Sequence, residues 1–195
     1  MNSTVRYLLL LLLAPFVSQA GEWFVEAKPG YYYLTDSLMR STFDNGGFSI
    51  RGEVDYKFWK PLAVWLDGGY FQKTGKSIGG NKKVDISIGS TTLGLKTIFF
   101  LHRRMAIYGG VGPRLFFLNI ENHSRYVKSN DRRIGIGGGF TSGFWLFPFN
   151  EKVFIDFYVD YSIKKMDFGH NHKSSLSYDV KLDGFTAGVG LGCKF

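Results

Sequence analysis

The chain has 195 residues, a formal net charge of +8 and a single cysteine, Cys193, so it is long enough for one domain and cannot form an intramolecular disulfide. Its 25 glycines and 17% aromatic residues, set against only 5 prolines, exclude a disordered linker and a helical bundle and favour β-structure. The sequence contains no low-complexity tract and no composition shift, so we expect one domain.

The first twenty residues have the three regions of a secretory signal peptide. Arg6 gives a short positive region, Leu8–Leu13 is an unbroken apolar run, and Ser18-Gln19-Ala20 has the small residues of a cleavage site. The apolar stretch is shorter than the roughly 20 residues of a membrane-spanning helix, and no later stretch without charges approaches that length. We therefore expect a cleaved signal peptide over residues 1–20, an exported domain over residues 21–195, and no helical membrane anchor.

Two segments of the exported domain alternate apolar and polar residues almost without exception. From Phe48 to Phe58 the apolar and small residues occupy the even positions, and Val153–Lys164 repeats the pattern with apolar residues at odd positions. Only the two-residue period of a β-strand produces this separation. Weaker versions of the pattern bring the predicted number of strands to eight, and they cover Trp23–Leu34, Leu62–Lys73, Val84–Phe100, Met105–Asn119, Arg133–Leu146 and Val180–Phe195.

Three positions disturb the predicted strands. Pro29 and Pro113 each lack a backbone N–H, which predicts a bulge or a locally unpaired site. Between Ile88 and Leu93, around Ser90, the apolar residues change from even to odd positions, and one extra bulge residue would explain the change. The sequence leaves the strand register open at these three places.

The connections between the predicted strands alternate between short and long. The short ones are 59–61, 101–104 and 147–152, and the long, polar ones are 35–45, 74–83, 119–132 and 165–179. In an up-and-down barrel the tight turns share one end with the termini and the long loops lie at the other end. The sequence therefore predicts an all-β, eight-stranded, antiparallel up-and-down β-barrel.

The direction of the polar rows decides whether such a barrel lies in water or in a membrane. A membrane barrel has its apolar rows outside and its polar rows inside, and a soluble barrel has the reverse arrangement. Inward polar rows place thirteen charged residues in the lumen, seven of them basic: Glu26, Lys28, Arg51, Glu53, Asp55, Lys57, Asp67, Lys96, Arg114, Asp156, Asp160, Lys164 and Lys194. Buried charges need opposite partners, and eight strands leave an interior that side chains can fill. We therefore predict a nearly neutral lumen packed with ion pairs, and no wide pore.

Aromatic residues concentrate near the predicted strand ends. At the short-turn end they are Trp23, Phe58, Trp59, Phe99, Phe100, Trp145, Phe147 and Phe195, and at the long-loop end they are Tyr31, Tyr33, Tyr70, Phe116, Phe117 and Tyr161. Two aromatic girdles at the two membrane interfaces are typical of transmembrane barrels. The glycines of the sixth and eighth predicted strands fall on the inward rows, where they leave room for long side chains opposite.

Together these features resemble the small bacterial outer-membrane barrels of the OmpX-like, OmpW-like and OmpA-barrel families, over Gly21–Phe195. The resemblance implies a transmembrane barrel in the outer membrane of a Gram-negative bacterium, with short turns and termini in the periplasm and long loops outside the cell. In those families the barrel-assembly machinery reads the last strand, which makes that machinery an expected partner. The matching positions in this chain are Val189, Leu191, Cys193 and Phe195.

Two alternatives assign the barrel a different role. Lipid A deacylases are outer-membrane barrels that pair a His-x-Ser with a carboxylate, and this chain has His172 and Ser174 with Asp179 or Asp183 as the acid. A secreted ligand-binding barrel is the second alternative, because Gly21-Glu22-Trp23 matches the Gly-x-Trp that opens soluble lipocalins. The charged inner rows argue against an apolar lipocalin cavity.

No cofactor or metal site is expected. His170 and His172 lack a third ligand nearby, and neither glycine run, Gly135–Gly139 or Gly188–Gly192, precedes the helix that a phosphate-binding loop requires. Nucleic-acid binding is disfavoured because the aromatic residues do not lie among the basic loop residues.

The basic residues of the long loops have two interpretations. They keep the loops soluble, or they attract the phosphorylated lipopolysaccharide of the outer leaflet. The leading hypothesis is a non-enzymatic outer-membrane barrel that serves envelope integrity, surface interaction or limited passage of small or apolar solutes, with the oligomeric state left open. The basic residues of the long loops are Arg40, Lys76, Lys82, Lys83, Arg125, Lys128, Arg132, Arg133, Lys165 and Lys173.

Overall fold

Eight antiparallel strands close into one barrel in a computed structural model that describes residues 21–76, 83–122, 130–168, 178–181 and 183–195. The barrel strands are β1 (Glu22–Leu34), β2 (Gly46–Lys57), β3 (Leu62–Lys76), β4 (Lys83–His102), β5 (Met105–Asn122), β6 (Asn130–Leu146), β7 (Val153–Ile163) and β10 (Gly184–Lys194). Each strand pairs with its neighbour along the chain, and β10 pairs with β7 and β1. This arrangement confirms the predicted up-and-down barrel. The predicted signal peptide lies outside the described residues and stays a prediction.

Backbone hydrogen bonds between β1 and the residues around β10 close the barrel. The pairing runs from Phe24 opposite Lys194 to Leu34 opposite Gly184. Beyond it, the Trp23 N–H donates to the Phe195 carbonyl at 3.2 Å, and the Phe195 N–H donates to the Trp23 carbonyl at 2.8 Å. In the described part of the chain, no helix has the length and apolar character that a bilayer crossing requires.

A short helix, α1 (Ser37–Phe43), occupies the connection from β1 to β2 that the sequence predicted as a loop. Asp36 caps it, because its carboxylate accepts the Met39 N–H at 3.1 Å. Met39 and Phe43 are buried against residues of the barrel interior. The helix has seven residues, fewer than the window in which a helical period is visible, so sequence periodicity could not reveal it.

The predicted last strand, Val180–Phe195, is divided in the structure. Tyr178–Lys181 forms strand β9, which pairs with β8 (Lys165–Phe168) in a separate two-stranded sheet, and the barrel strand β10 begins only at Gly184. Asp183 lies between the two strands, where its carbonyl accepts the Thr35 N–H at 3.1 Å. The apolar residues change from even positions, Val180 and Leu182, to odd positions from Phe185 onward, so the sequence marks this break, which the single predicted strand overlooked.

The bulge predicted near Ser90 is wrong. The pairing of β3 with β4 runs from Leu62 opposite Thr97 to Lys76 opposite Lys83 without a register shift. The apolar residues of β4 change from even to odd positions because the barrel interior changes from apolar to polar along this strand. Val84, Ile86 and Ile88 point into an apolar part of the lumen, whereas Leu93 and Leu95 lie on the exposed outer face.

The two prolines interrupt hydrogen bonding but not register. The pairs on either side of Pro29, Ala27 with Leu191 and Gly30 with Gly188, keep the same offset, so the site is locally unpaired and has no bulge. The same holds at Pro113, between Thr92 opposite Arg114 and Leu95 opposite Val111.

A pair of facing glycines accompanies each proline. A Cβ atom on Gly188 would lie 2.7 Å from the Gly30 Cα, and a Cβ atom on Gly112 would lie 2.6 Å from the Gly94 Cα. Real Cβ atoms do not approach backbone this closely, so only glycine fits where these strands come together.

Substitution of Gly112 tests this close approach. We expect Gly112→Ala to lower the free energy of unfolding by about 1–3 kcal/mol, since the added methyl group would meet backbone atoms that cannot move away. Gly68→Ala is the matched control, because a Cβ atom on Gly68 meets nothing within 4 Å, and it should change stability by less than about 0.5 kcal/mol. Urea denaturation of the refolded barrel, followed by tryptophan fluorescence, measures both. Equal losses in the two variants would contradict the assignment.

Candidate functional site

The barrel interior consists of three layers. An apolar cluster fills the long-loop end and includes Met39 and Phe43 of α1 together with Leu34, Ile86 and Phe116. A second apolar cluster, rich in aromatic residues, fills the short-turn end with Phe24, Ile98, Tyr108, Trp145, Phe147, Phe154 and Tyr158. Between them lie ten charged side chains, each on a residue at most 7% exposed: Glu26, Lys28, Arg51, Glu53, Asp55, Asp67, Lys96, Arg114, Asp156 and Asp160. Apolar side chains therefore cover the charges at both ends.

Two arginines and two aspartates form one part of the middle layer, the arginine cluster, which comprises Arg51, Arg114, Asp67 and Asp160. Arg114 donates to both carboxylate oxygens of Asp160, at 2.6 and 2.7 Å, and Arg51 donates to Asp160 Oδ1 at 2.8 Å. Arg51 also makes a two-point contact with Asp67. The cluster is balanced in charge, and the two-point geometry is the strong form of such pairs.

Two hydroxyl groups complete the hydrogen bonds of the arginine cluster. The Thr92 hydroxyl accepts a hydrogen bond from Arg114 Nε at 2.6 Å and donates one to Asp67 at 3.1 Å, and Ser162 accepts a further bond from Arg114 at 2.6 Å. The cluster thereby connects β2, β3, β4, β5 and β7 across the lumen. Sequence analysis did not select Thr92 or Ser162, although both lie on inward rows.

Two lysines and four carboxylates form the other part, the lysine cluster: Lys28, Lys96, Glu26, Glu53, Asp55 and Asp156. Lys28 Nζ lies 3.0 Å from Asp156 and 3.2 Å from Glu53, and Lys96 Nζ lies 2.9 Å from Asp55 and also contacts Glu53. This cluster links strands β1, β2, β4 and β7.

Tyrosine side chains extend the lysine cluster toward the short-turn end. The Tyr108 hydroxyl accepts a hydrogen bond from Lys28 at 3.1 Å and donates to Asp156 at 2.8 Å. Lys96 Nζ lies 4.4 Å from the centre of the Tyr108 ring, and Lys28 Nζ lies 4.6 Å from the centre of the Tyr158 ring. These ring faces stabilise the two ammonium groups where water is excluded.

The middle layer holds more acidic than basic side chains, whereas the sequence predicted seven basic and six acidic residues in the lumen. It holds four basic and six acidic side chains, and the excess lies in the lysine cluster. Neither oxygen of Glu26 has a hydrogen-bond partner among the described residues, and both stay 3.9 Å or more from the lysine nitrogens. Glu26, Glu53 and Asp55 bring carboxylate oxygens within 4.8 Å of one another, and Lys96 lies within 4 Å of all three carboxylates.

Three predicted members of the lumen network lie elsewhere. Lys57 and Lys194 are at the short-turn rim, where their ammonium groups lie 2.7 and 2.5 Å from Glu22, a residue that sequence analysis did not assign to the network. Lys164 follows the last residue of β7, and its backbone N–H donates to the Asp183 carboxylate at 2.7 Å. It forms no ion pair with any described residue.

Three aromatic residues predicted for the outer girdles face the interior instead. Trp145 and Phe147 belong to the short-turn apolar cluster, and Phe116 belongs to the long-loop one. The remaining girdle residues lie on the outer side or at the rims, as Trp23, Trp59 and Phe195 show. The position of an aromatic residue near a strand end predicted that it lies at the level of a membrane interface. It did not predict whether the side chain faces the lumen or the lipid.

The inward glycines accommodate mainly aromatic side chains. Added Cβ atoms would overlap the Tyr108 ring at Gly143, the Tyr32 ring at Gly184 and the Phe154 ring at Gly192. Gly139 instead makes room for Arg114. The sequence predicted that these glycines leave room for long side chains, and in the structure mainly aromatic rings fill that room.

The outer face of the wall is apolar along every barrel strand. Exposed residues include Val25, Phe48, Leu66, Leu93, Val111, Ile136, Val159 and Leu191. The proposed assembly positions Val189, Leu191, Cys193 and Phe195 are part of this face. An apolar exterior around a charged interior is the reverse of a water-soluble barrel, so it argues against the secreted alternative.

The predicted hydrolase residues do not form a described site. His172 and Ser174 lie outside the described residues, and for Asp179 the structure describes only the backbone. The Asp183 carboxylate accepts the Lys164 N–H, and its carbonyl accepts hydrogen bonds from both the N–H and the hydroxyl of Thr35. Asp183 is therefore engaged in holding the chain at the start of β10.

A family model described as the outer membrane protein beta-barrel domain matches residues 7–195. No curated protein matches the chain in sequence. In fold, the chain is similar to the outer membrane protein OprG from Pseudomonas aeruginosa, with a TM-score of 0.68 at 19% identity over 91% of this chain and 97% of the other.

Two further solved barrels have similar folds. Neisserial surface protein A has a TM-score of 0.62 at 18% identity, over 91% of this chain and all of the other. Ail, the attachment invasion locus protein of Yersinia pestis, solved in complex with the heparin analogue sucrose octasulfate, has a TM-score of 0.60 at 17% identity over the same shares. At such low identity these similarities show the fold.

Two matched carboxylate-to-amide substitutions test the charge distribution of the lumen. Asp160→Asn removes the charge that two arginines share, and we expect a loss of about 3–5 kcal/mol in the free energy of unfolding. Glu26→Gln removes one excess negative charge from a group without hydrogen-bond donors, so stability should rise or change by less than about 1 kcal/mol. Urea denaturation in detergent micelles measures both, and a Glu26→Gln loss as large as that of Asp160→Asn would contradict the described imbalance.

Proposed function

Because the chain belongs to the family of outer membrane protein beta-barrel domains, we propose that it is a closed barrel whose function resides in the surface of its long-loop end. The observation that carries this proposal is the filled lumen, in which ten charged side chains, none on a residue more than 7% exposed, lie between two apolar clusters. A pore requires a continuous path for water, whereas an eight-stranded barrel is narrow enough for side chains to fill. The proposal favours surface interaction over the passage of solutes.

The proposed orientation has the short turns in the periplasm and the long-loop end outside the cell. The outward row of β10, which ends in Val189, Leu191, Cys193 and Phe195, supports this choice because it has the alternating pattern that the resemblance assigns to recognition by the barrel-assembly machinery. Both ends of the barrel carry exposed aromatic residues, as two membrane interfaces require.

We propose that the long-loop end binds phosphate or sulfate groups of surface polyanions, with lipopolysaccharide as the nearest source. Arg132 and Arg133 are exposed on β6 at this end. The connecting segments 77–82, 123–129 and 169–177 add four basic residues and no acidic residue to the sequence, namely Lys82, Arg125, Lys128 and Lys173. Cations near a phosphorylated leaflet attract it electrostatically. The similar barrel Ail was solved with a polysulfated sugar.

A closed lumen predicts an absence of porin-like conductance. We expect the purified protein in planar lipid bilayers to produce no stepwise conductance, because the charged layer and both apolar clusters would have to move to admit ions. A general porin reconstituted in the same bilayers and salt serves as the positive control. Reproducible single-channel steps from the purified protein would contradict the proposal that the lumen is closed.

Removal of two exposed cations tests the polyanion proposal. We expect Arg132→Gln with Arg133→Gln to weaken the binding of sucrose octasulfate severalfold, and we expect wild-type binding to weaken as salt is raised, since exposed charges are screened. Lys60→Gln with Arg103→Gln removes the same charge at the opposite end and should leave the affinity unchanged. Isothermal titration calorimetry in detergent measures these affinities, and equal affinities in the two double variants would refute the assigned binding end.

A further inference from the structure

We propose that the short-turn end of the barrel has a binding site for the phosphate group of an anionic glycerophospholipid. The site is a cavity of about 680 Å³, which we call the rim cavity. The cavity is lined by the start of β1, the end of β10, the β2–β3 turn, the end of β4 with the turn that follows it, and the β6–β7 turn. Its volume is within the range of small-molecule sites. Nothing in the proposed role of the long-loop end depends on this site.

The lining of the rim cavity includes residues from both the mouth and the outer face of the barrel. Phe100 faces the mouth, where its ring centre lies 6.2 Å from that of Phe147. Phe99 points to the opposite side of β4 and is 51% exposed on the outer surface. Both phenylalanines line the cavity, together with the buried Ile98. A ligand in this position therefore contacts the apolar exterior and the aqueous mouth at once.

The cations of the rim cavity fall into two groups. Lys57 and Lys194 are already paired with Glu22, at 2.7 and 2.5 Å. Lys60 and Arg103 are exposed and form no ion pair with any residue that the structure describes. The lining has four basic residues against two acidic ones, Glu22 and Glu151, so the cavity has a net positive charge. It offers Lys60 and Arg103 to an anion, and the Arg103 guanidinium has planar donors that suit a phosphate.

The surroundings of these two cations favour a lipid over a soluble anion or an acidic peptide. Trp59 is 62% exposed next to Lys60, and Leu101 is 63% exposed two residues before Arg103. Exposed apolar groups beside free cations, on a wall that faces lipid, complement a molecule with an anionic head and hydrocarbon chains. With the orientation proposed above, this molecule is a glycerophospholipid of the inner leaflet.

Fluorescence quenching of the exposed tryptophans tests the site directly. The folded protein is placed in phosphatidylcholine nanodiscs that contain a small fraction of either phosphatidylglycerol or phosphatidylcholine with brominated acyl chains. Bromine quenches nearby tryptophan, and Trp23 and Trp59 are both exposed at this end. We expect stronger quenching by brominated phosphatidylglycerol, and equal quenching by the two lipids would overturn the proposal.

Two double variants assign the preference to this end of the barrel. A cation near an anionic lipid surface contributes about 1 kcal/mol, which corresponds to about fivefold in affinity. Lys60→Gln with Arg103→Gln should therefore lower the preference for phosphatidylglycerol by about fivefold for each cation removed. Arg132→Gln with Arg133→Gln changes the same charge at the long-loop end and should keep the wild-type preference. Equal preferences in the two variants would overturn the site.

Soluble competitors decide between a lipid and another anion. Excess glycerol 3-phosphate or polyglutamate, at constant ionic strength, should leave the quenching unchanged, and full displacement by either would overturn a lipid as the occupant. Native mass spectrometry of the detergent-purified protein gives a second readout, because wild type should retain phosphatidylglycerol and the Lys60 and Arg103 double variant should not. A nanodisc carries the same lipids on both sides, so the quenching result does not depend on which end of the barrel lies in the periplasm. The conductance and polyanion experiments test the lumen and the long-loop end. This site and the proposed function can therefore fail separately.

Discussion

The mutual neutralisation of charges inside a narrow, water-poor lumen is the constraint on which the rest of this barrel depends. A buried ion without a partner is costly, and most of these charged side chains reach an opposite charge on another strand. Asp160 illustrates the result, since it receives hydrogen bonds from arginines on β2 and β5 while belonging to β7. The strand register and the placement of small residues bring these groups into contact.

The two apolar clusters strengthen this arrangement by keeping water away from it. Electrostatic attraction grows as the local dielectric constant falls, and Trp145 and Phe154 below the charges, like Phe116 above them, help to exclude solvent. The inward glycines also contribute to the exclusion of water from the lumen. They give the large rings of Tyr108 and Phe154 space to lie across the lumen, where a second large residue would prevent closure.

The near balance of basic and acidic residues indicated that the polar rows face inward, whereas alternation was sufficient to predict the eight strands, because a strand has an exact two-residue period. Alternation could not predict where the interior changes from charged to apolar. Val84, Ile86 and Ile88 therefore resembled an outward row displaced by a bulge, and Trp145 resembled a girdle residue. The contact of Lys194 with Glu22 depends on barrel closure, which no local pattern contains.

Helix α1 gives part of the long-loop end a structural role in the barrel. Because Met39 and Phe43 complete the upper apolar cluster, the β1–β2 connection belongs to the hydrophobic core and is not an ordinary display loop. Foreign epitopes grafted into this connection would remove part of the core that keeps solvent from the charges below. Substitutions that preserve the barrel are therefore expected on the face of the helix that points away from it, and the buried face is constrained by the packing of the lumen.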